Sequence, residues 1–137
     1  MNEHLEHGLK ELLESPIDPS LFPVKKGNKI NIGSYSIVKR RDDYSIKDYK
    51  TETIVAHTYS KAAAIAIAKN LAKKHNKTEQ ILKLDREYSK HDIDCKFYQH
   101  IIKVTKDETQ RDIVGTRFDI SIFRADLVKQ KIESYIL

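Results

Sequence analysis

The stretch "LDREYSKHDIDCKFYQHII", residues 84–102, decides the architecture predicted for this chain. It holds the only cysteine, two histidines and four acidic residues, a composition that suggests a metal or catalytic site. Its spacing favours a different interpretation. Counted from Ile81, the positions suited to a helix interface alternate at intervals of three and four residues: Ile81, Leu84, Tyr88, His91, Cys95, Tyr98 and Ile102. That spacing is the heptad repeat of packed helices, and we call such a series a seam.

A second seam follows at Val114, Phe118, Ser121, Ala125, Val128, Ile132 and Tyr135. It is out of phase with the first, because one continuous helix would carry the first series on to Thr109 and Thr116. The chain is therefore predicted to turn within the polar residues 106–110, around Glu108. When the two seams are paired antiparallel, the numbers of facing positions sum to 216. We predict an antiparallel two-helix hairpin over residues 77–137, about 40 Å long at 1.5 Å per residue.

Charges beside the seams give an independent check of this register. Three pairs of opposite sign become neighbours: Glu87 with Lys131, Asp94 with Arg124, and Asp85 with Lys129. Exposed pairs stabilise by only about 0.3 to 0.5 kcal/mol each, but they select register and orientation.

The seam leaves little room for chemistry in the opening stretch. His91 and Cys95 are four residues apart, which suits two ligands on one helical face, yet the facing positions Ser121 and Ala125 add none. A nucleophilic Cys95 needs an open, basic setting, whereas the seam predicts burial. The chain has no phosphate-binding glycine loop, dinucleotide glycine pattern or HExxH motif. We expect no enzymatic activity, no metal and no cofactor.

The hairpin also carries apolar residues that its seams do not use. They are Ile93, Phe97, Ile101 and Val104 on the first helix, and Ile113, Ile120, Phe123 and Leu127 on the second. A two-helix hairpin in water needs a cover for such a second stripe. That cover is the rest of this chain or a neighbouring chain, so these residues, apart from Val104, are candidates for partner binding.

Residues 1–29 are predicted to form an N-terminal arm. Leu5, Leu9 and Leu12 share one side of a short amphipathic helix that ends before Pro16, and an extended linker follows. An isolated helix of about twelve residues is marginal in water and needs a surface for its leucines. The three leucines join the candidate partner-binding residues.

Residues 30–76 are predicted to form a small head. The β-rich segments INIGSYSIVKRR, DYSIKDY and TETIVAH indicate two or three short antiparallel strands, a β-meander. Ser60 is a favourable N-cap for the alanine-rich helix that follows, and this helix is expected to cover the meander. The predicted fold class is α+β, with the arm, the head and the hairpin in that order.

The head resembles a known kind of module. Its order of strands followed by "TYSKAAAIAIAKNLAKK", residues 58–74, is similar to the AP2-like arm-binding domains of phage integrases. That resemblance implies strands that enter the DNA major groove, with Lys39, Arg40 and Arg41 at a hairpin edge. Together with a second cluster, the candidate nucleic-acid-binding residues are Lys39, Arg40, Arg41, Lys69, Lys73 and Lys74.

The composition limits the setting. There are 25 basic and 20 acidic residues, a net charge of +5 that permits nucleic acid or an acidic partner without requiring either. A single cysteine forms no intramolecular disulfide, and the first residues lack the features of a signal peptide. No run approaches the ~18 apolar residues of a membrane span. We expect a protein of the virion or the cytoplasm without a membrane partner.

The whole chain also resembles a group of proteins. Its small size, its composition rich in lysine, isoleucine and asparagine, its amphipathic arm and its hairpin are similar to small structural and accessory proteins of tailed, T4-like bacteriophages of marine bacteria. The resemblance implies a head, neck or tail component that forms oligomers or larger assemblies with other protein chains. The alternative is a DNA-binding or regulatory module that dimerises through its hairpin.

Overall fold

A computed structural model describes residues 24–26 and 29–137 of the chain. The predicted arm helix, with Leu5, Leu9 and Leu12, lies outside the described residues. The fold is α+β: an antiparallel sheet is followed by three helices. The elements are β1 (Val24–Lys26), β2 (Lys29–Ile32), β3 (Tyr35–Lys39), β4 (Tyr44–Asp48), β5 (Thr53–Thr58), α1 (Lys61–Ala72), α2 (Thr78–Val104) and α3 (Glu108–Glu133).

The sheet is a meander in which each strand pairs with its neighbour in sequence. Strands β2 to β5 of the head number four and correct the prediction of two or three, because residues 30–41 contribute to two strands rather than one. Gly33 has φ 58° and opens a two-residue turn that places Ile32 opposite Tyr35. Glycine adopts this left-handed conformation without steric cost. The short strand β1 pairs with the outer edge of β2 and extends the sheet into the segment assigned to the linker.

Helix α1 forms the middle layer of the molecule. Its residues 62–70 are all buried, because the sheet packs on one side of the helix and the base of the hairpin packs on the other. The sheet contributes Ile32, Ile37 and Ile46 to this core. Alanines along α1 allow both layers to approach closely. The predicted N-cap is confirmed, since the Ser60 side chain accepts a hydrogen bond from the Ala63 backbone N–H at 3.2 Å.

Helix α1 ends in a motif that normally uses glycine. The backbone N–H of Lys74 donates to the Leu71 carbonyl at 2.9 Å, and that of His75 donates to the Asn70 carbonyl at 2.8 Å. These two bonds make a Schellman motif. Lys74 occupies its left-handed position with φ 62°, a conformation that is unfavourable for a side chain with a Cβ.

The predicted helical hairpin is confirmed. Helices α2 and α3 pack against each other along their length, and the turn between them lies at residues 105–107, slightly before the predicted centre. Asp107 caps α3 by accepting from the Thr109 backbone N–H at 2.9 Å. All fourteen predicted seam residues are buried or half-buried. Heptad spacing therefore identified the inner faces of both helices correctly.

The charge of Asp126 supports the predicted register. This carboxylate contributes to raising the pKa of both Tyr88 and Cys95, although burial is the larger cause for each. In a register with positions summing to 216, Asp126 is level with Lys90, which lies between those two residues. A shift of one heptad in either direction would place Asp126 outside the interval from 88 to 95.

Candidate interaction surface

The hairpin is joined to the head through a buried carboxylate. Asp85 of α2 is 4% exposed. Its side chain accepts hydrogen bonds from the Tyr59 backbone N–H at 2.7 Å, the Ser60 backbone N–H at 3.0 Å and the Ser60 hydroxyl at 2.8 Å. These donors stand at the start of α1, where backbone N–H groups have no partner inside the helix and a negative charge is favourable. Asp85 therefore docks α2 onto α1.

A second contact lies one heptad further along α2. The Tyr59 hydroxyl donates to Asp92, and Lys96 lies 3.2 Å from both the Asp92 carboxylate and the Tyr59 hydroxyl oxygen. The Tyr59 ring also packs against Tyr88, with 6.0 Å between the ring centres. Burial is the main cause that raises the pKa of Tyr59 and that of Tyr88, the latter to about 12. Both phenols therefore stay protonated at neutral pH.

This joint is not predicted by the seam register, which places Asp85 beside Lys129. The structure corrects that assignment, because the three donors from Tyr59 and Ser60 occupy the carboxylate. One signal was present in the sequence: Asp85 and Asp92 are seven residues apart on the same flank of the seam. The opposite flank carries a pair with the same spacing, Glu87 and Asp94, so this signal alone does not identify the side that meets the head.

The two flanks of the hairpin therefore have different surroundings. Successive residues of an α-helix are about 100° apart, so positions beside the seam lie on one flank or the other. Asp85 and Asp92 lie on the flank of α2 that contacts the head. On the same side of the hairpin, Ile136, which follows the end of α3, is buried in the core. The opposite flank carries six apolar residues that we call the open face: Phe97, Ile101, Val104, Ile113, Ile120 and Leu127.

The open face is exposed in the described chain. Phe97 is 57% exposed, Val104 59% and Ile113 54%, while Ile101 is half-buried. The hydrophobic core takes its hairpin residues from the base alone, at positions 81–88 and 128–136. The part of the hairpin beyond the base thus projects from the head with an apolar surface that no described residue covers.

The remaining two hairpin candidates lie elsewhere. Ile93 lines a cleft of about 770 Å³ between the head and the hairpin, together with Tyr59 and Tyr88. Phe123 is 63% exposed and lies on the outer side of α3, between the two flanks. Of the candidate partner-binding residues in the hairpin, the structure therefore brings Phe97, Ile101, Ile113, Ile120 and Leu127 onto one face, with Val104 beside them.

Charges of opposite sign lie beside the apolar residues of the open face, on the side nearer the seam. Glu87 and Asp94 follow α2, and Arg117, Arg124 and Lys131 follow α3. Within residues 29–137, the predicted pairs Glu87 with Lys131 and Asp94 with Arg124 are not ion pairs at 4.0 Å or less. Glu87 Oε1 lies 4.0 Å from Nε2 of His91, which carries a positive charge only when it is protonated. These two rows of charge are exposed and face solvent.

The candidate nucleic-acid-binding residues are not brought together. Lys39, Arg40 and Arg41 lie at the turn between β3 and β4, which lines the cleft beside the N-terminus of α1. Lys73 and Lys74 follow the C-terminus of α1, about 16 Å away along the helix at 1.5 Å per residue. Lys69 is 2% exposed, and its burial lowers its pKa. It therefore lies in the interior rather than on a phosphate-binding surface.

His91 and Cys95 occupy the seam as expected. Both side chains are half-buried, and burial is the largest of the causes that raise the pKa of the Cys95 thiol. A raised pKa leaves little thiolate at neutral pH. Within the described part of the chain, no group of three or more His, Cys, Asp and Glu side chains is arranged to hold a metal ion. None of the described helices has the length and apolar character needed to cross a membrane.

Comparison of the chain with protein-family models, with curated proteins and with solved structures gives no match.

Proposed function

We propose that this chain is a non-enzymatic assembly protein that acts through protein–protein contacts made by the projecting part of its hairpin. The head serves as the rigid base of the hairpin, because Asp85 and the Tyr59–Asp92 contact hold α2 against α1. The hairpin presents the open face to partners. No chemistry at the seam is part of this proposal.

The exposure of the open face carries the proposal. Apolar residues scattered singly over a surface are ordinary, but six apolar residues gathered on one flank of an otherwise charged hairpin mark a site of association. Phe97 and Ile120 lie near the middle of this face, and they are 57% and 45% exposed. An aromatic side chain in the centre of an interface is a frequent source of binding energy.

Size fractionation of a lysate from cells that express the full chain tests the proposal. The wild-type chain is expected to sediment faster than a monomer of 15.9 kDa. The double variant Phe97→Arg, Ile120→Arg is expected to move to the monomer position. The matched control is Ile54→Arg, which changes an apolar residue of similar exposure at the sheet rather than the hairpin. Wild-type protein that sediments as a monomer throughout would contradict the proposal.

The setting that we propose is the virion of a tailed phage. This rests on the resemblance of the whole chain to small accessory proteins of such phages. Mass spectrometry of purified particles tests it, since a structural component is retained at a fixed ratio to the major capsid protein. Loss of the chain during particle purification would contradict a virion role and leave the protein–protein role intact.

A second candidate function is DNA binding by the head. The observation that favours it is the position of Lys39, Arg40 and Arg41 beside the cleft, whose lining holds six basic residues against four acidic ones. A salt-dependent shift of duplex DNA at about 50 mM salt, lost when the three turn residues are changed to alanine, is the expected result for such a site. Absence of a shift at that salt concentration would exclude this function.

A further inference from the structure

We infer that the open face binds the open face of a second copy of this chain, in a symmetric four-helix arrangement with α2 of each copy against α3 of the other. The inference rests on the proposed function and names the partner. Two hairpins that stack face to face form a closed dimer with the same surface buried on both copies. The heads do not obstruct this contact, because each head lies on the opposite flank of its own hairpin.

Symmetry brings the apolar residues of the two copies together. A two-fold axis parallel to the helices leaves the height of every residue along the hairpin unchanged and exchanges α2 with α3 across the interface. In the register that sums to 216, Phe97 is within one residue, about 1.5 Å, of the height of Ile120. Phe97 therefore faces Ile120 of the partner subunit. Val104 faces Ile113 of the partner subunit for the same reason.

The charges select this arrangement over the alternative. With the axis parallel to the helices, Glu87 and Asp94 of α2 lie against the basic row of α3 from the partner subunit, and Lys83 and Lys90 of the same flank lie toward its outer edge. An axis perpendicular to the helices would instead set α2 against α2 and α3 against α3. That arrangement sets the acidic residues of the two α2 helices near each other. It also sets Arg117, Arg124 and Lys131 of one α3 helix near the same residues of the other. Like charges across an interface disfavour a pairing, and opposite charges favour it.

The size of the face is sufficient for a stable dimer. Each hairpin is about 40 Å long and about 20 Å wide, from two helices of about 10 Å diameter side by side. The face therefore offers about 800 Å² per copy, which is the size of a standard specific interface. Apolar residues follow the outer sides of this face from the tip to Leu127, and Asp94, Arg117 and Arg124 lie between them along its middle.

Analytical ultracentrifugation of the purified full chain tests the inference. At concentrations from about 1 to about 100 µM, where micromolar affinities are measurable, we expect a species of twice the monomer mass of 15.9 kDa. The Phe97→Arg, Ile120→Arg variant is expected to be monomeric, with an unchanged helical circular dichroism spectrum. A monomeric wild-type chain overturns the inference, while fast-sedimenting complexes in the lysate would still support the proposed function.

Two charge variants test the geometry without touching the core. Asp94→Arg sets arginine against Arg124 of the partner subunit, and Arg124→Asp sets aspartate against Asp94 of the partner subunit. Each variant alone is expected to weaken dimerisation by about tenfold or more. An equimolar mixture of the two is expected to recover the wild-type affinity, because each copy then meets the opposite charge. A mixture no tighter than the separate variants overturns the arrangement.

Hydrogen exchange distinguishes the other possible cover, which is the leucines of the predicted arm. A monomeric chain in which the amides around Phe97 and Ile120 are protected, and become exposed when Leu5, Leu9 and Leu12 are changed to serine, assigns the cover to this chain's own N-terminal residues. That result overturns the second copy as the occupant. Protection that appears only as the protein concentration rises supports it.

Discussion

The substitution Asp85→Asn tests whether one carboxylate holds the hairpin to the head. The amide oxygen can keep the place of Oδ1, which accepts from the Ser60 backbone N–H and hydroxyl. The amide nitrogen then faces the Tyr59 backbone N–H, which now donates to Oδ2 at 2.7 Å. Two donors meet, and a buried N–H loses its acceptor.

The magnitude follows from two contributions. A buried donor without an acceptor costs about 1 to 3 kcal/mol. Loss of a negative charge at the start of a helix costs about 0.3 to 1 kcal/mol more, and up to about 2 kcal/mol where the charge is partly buried. We expect Asp85→Asn to lower the free energy of unfolding by about 2 to 4 kcal/mol. That is a large part of the stability of a domain of this size, which is about 5 to 15 kcal/mol.

Urea unfolding followed by far-ultraviolet circular dichroism measures this change. The protein concentration must be low enough for the chain to be monomeric, since association adds to apparent stability. Asp119→Asn is the matched control, because the same change at an exposed position of α3 is expected to stay within about 0.5 kcal/mol. If Asp85→Asn changes stability no more than the control, the three hydrogen bonds do not hold the joint and our account of the hairpin base is wrong.

Three further changes have defined outcomes. Gly115 lies inside α3, and open space surrounds the position that a new Cβ would take. Gly115→Ala should therefore raise the free energy of unfolding, measured in urea, by about 0.5 to 1 kcal/mol. A loss of stability would mean that the site is covered. Lys74→Gly should raise the thermal midpoint through a gain of about 0.5 to 1 kcal/mol, because glycine relieves the left-handed conformation; a lower midpoint would contradict the Schellman assignment. Burial raises the pKa of Tyr88 from its ordinary 10.0 to about 12. The stability from its protonated phenol is therefore complete below pH 10 and is lost as the pH rises through 12. Tyr88→Phe should flatten the decline of stability across that interval in alkaline unfolding curves, and a decline as steep as that of wild type would show that Tyr88 is not its source.

The candidate surface was partly predictable. Heptad counting separates the seam from the remaining apolar residues, so the sequence alone identifies Phe97, Ile113 and Ile120 as residues outside the seam. Counting could not tell which flank the head would occupy. Ile93 and Phe97 are four residues apart and belong to one stripe, yet Ile93 lines the cleft beside the head and Phe97 does not, because the head contacts the flank of Asp85 and Asp92.

The basic residues show a different limit. Lys69, Lys73 and Lys74 form a cluster in sequence, and their helical spacing suggested one exposed patch. The structure buries Lys69 because α1 is packed on two sides, by the sheet and by the hairpin. A helix that is buried on all sides has no face in contact with solvent. The alanines that permit this burial also occur in exposed helices, so they do not predict that Lys69 is buried.

Local features were determined by the sequence itself. The hairpin follows from the interval between apolar positions, and the start of α1 follows from Ser60, because both depend on residues within a few turns of one helix. The separation of β2 from β3 lies at a single glycine, Gly33, whose backbone conformation permits the turn between them. Only the tertiary structure decided that Asp85 would meet Tyr59 and Ser60, about 25 residues earlier in the chain. That contact forms because α2 packs on α1, and it leaves the opposite flank of the hairpin free.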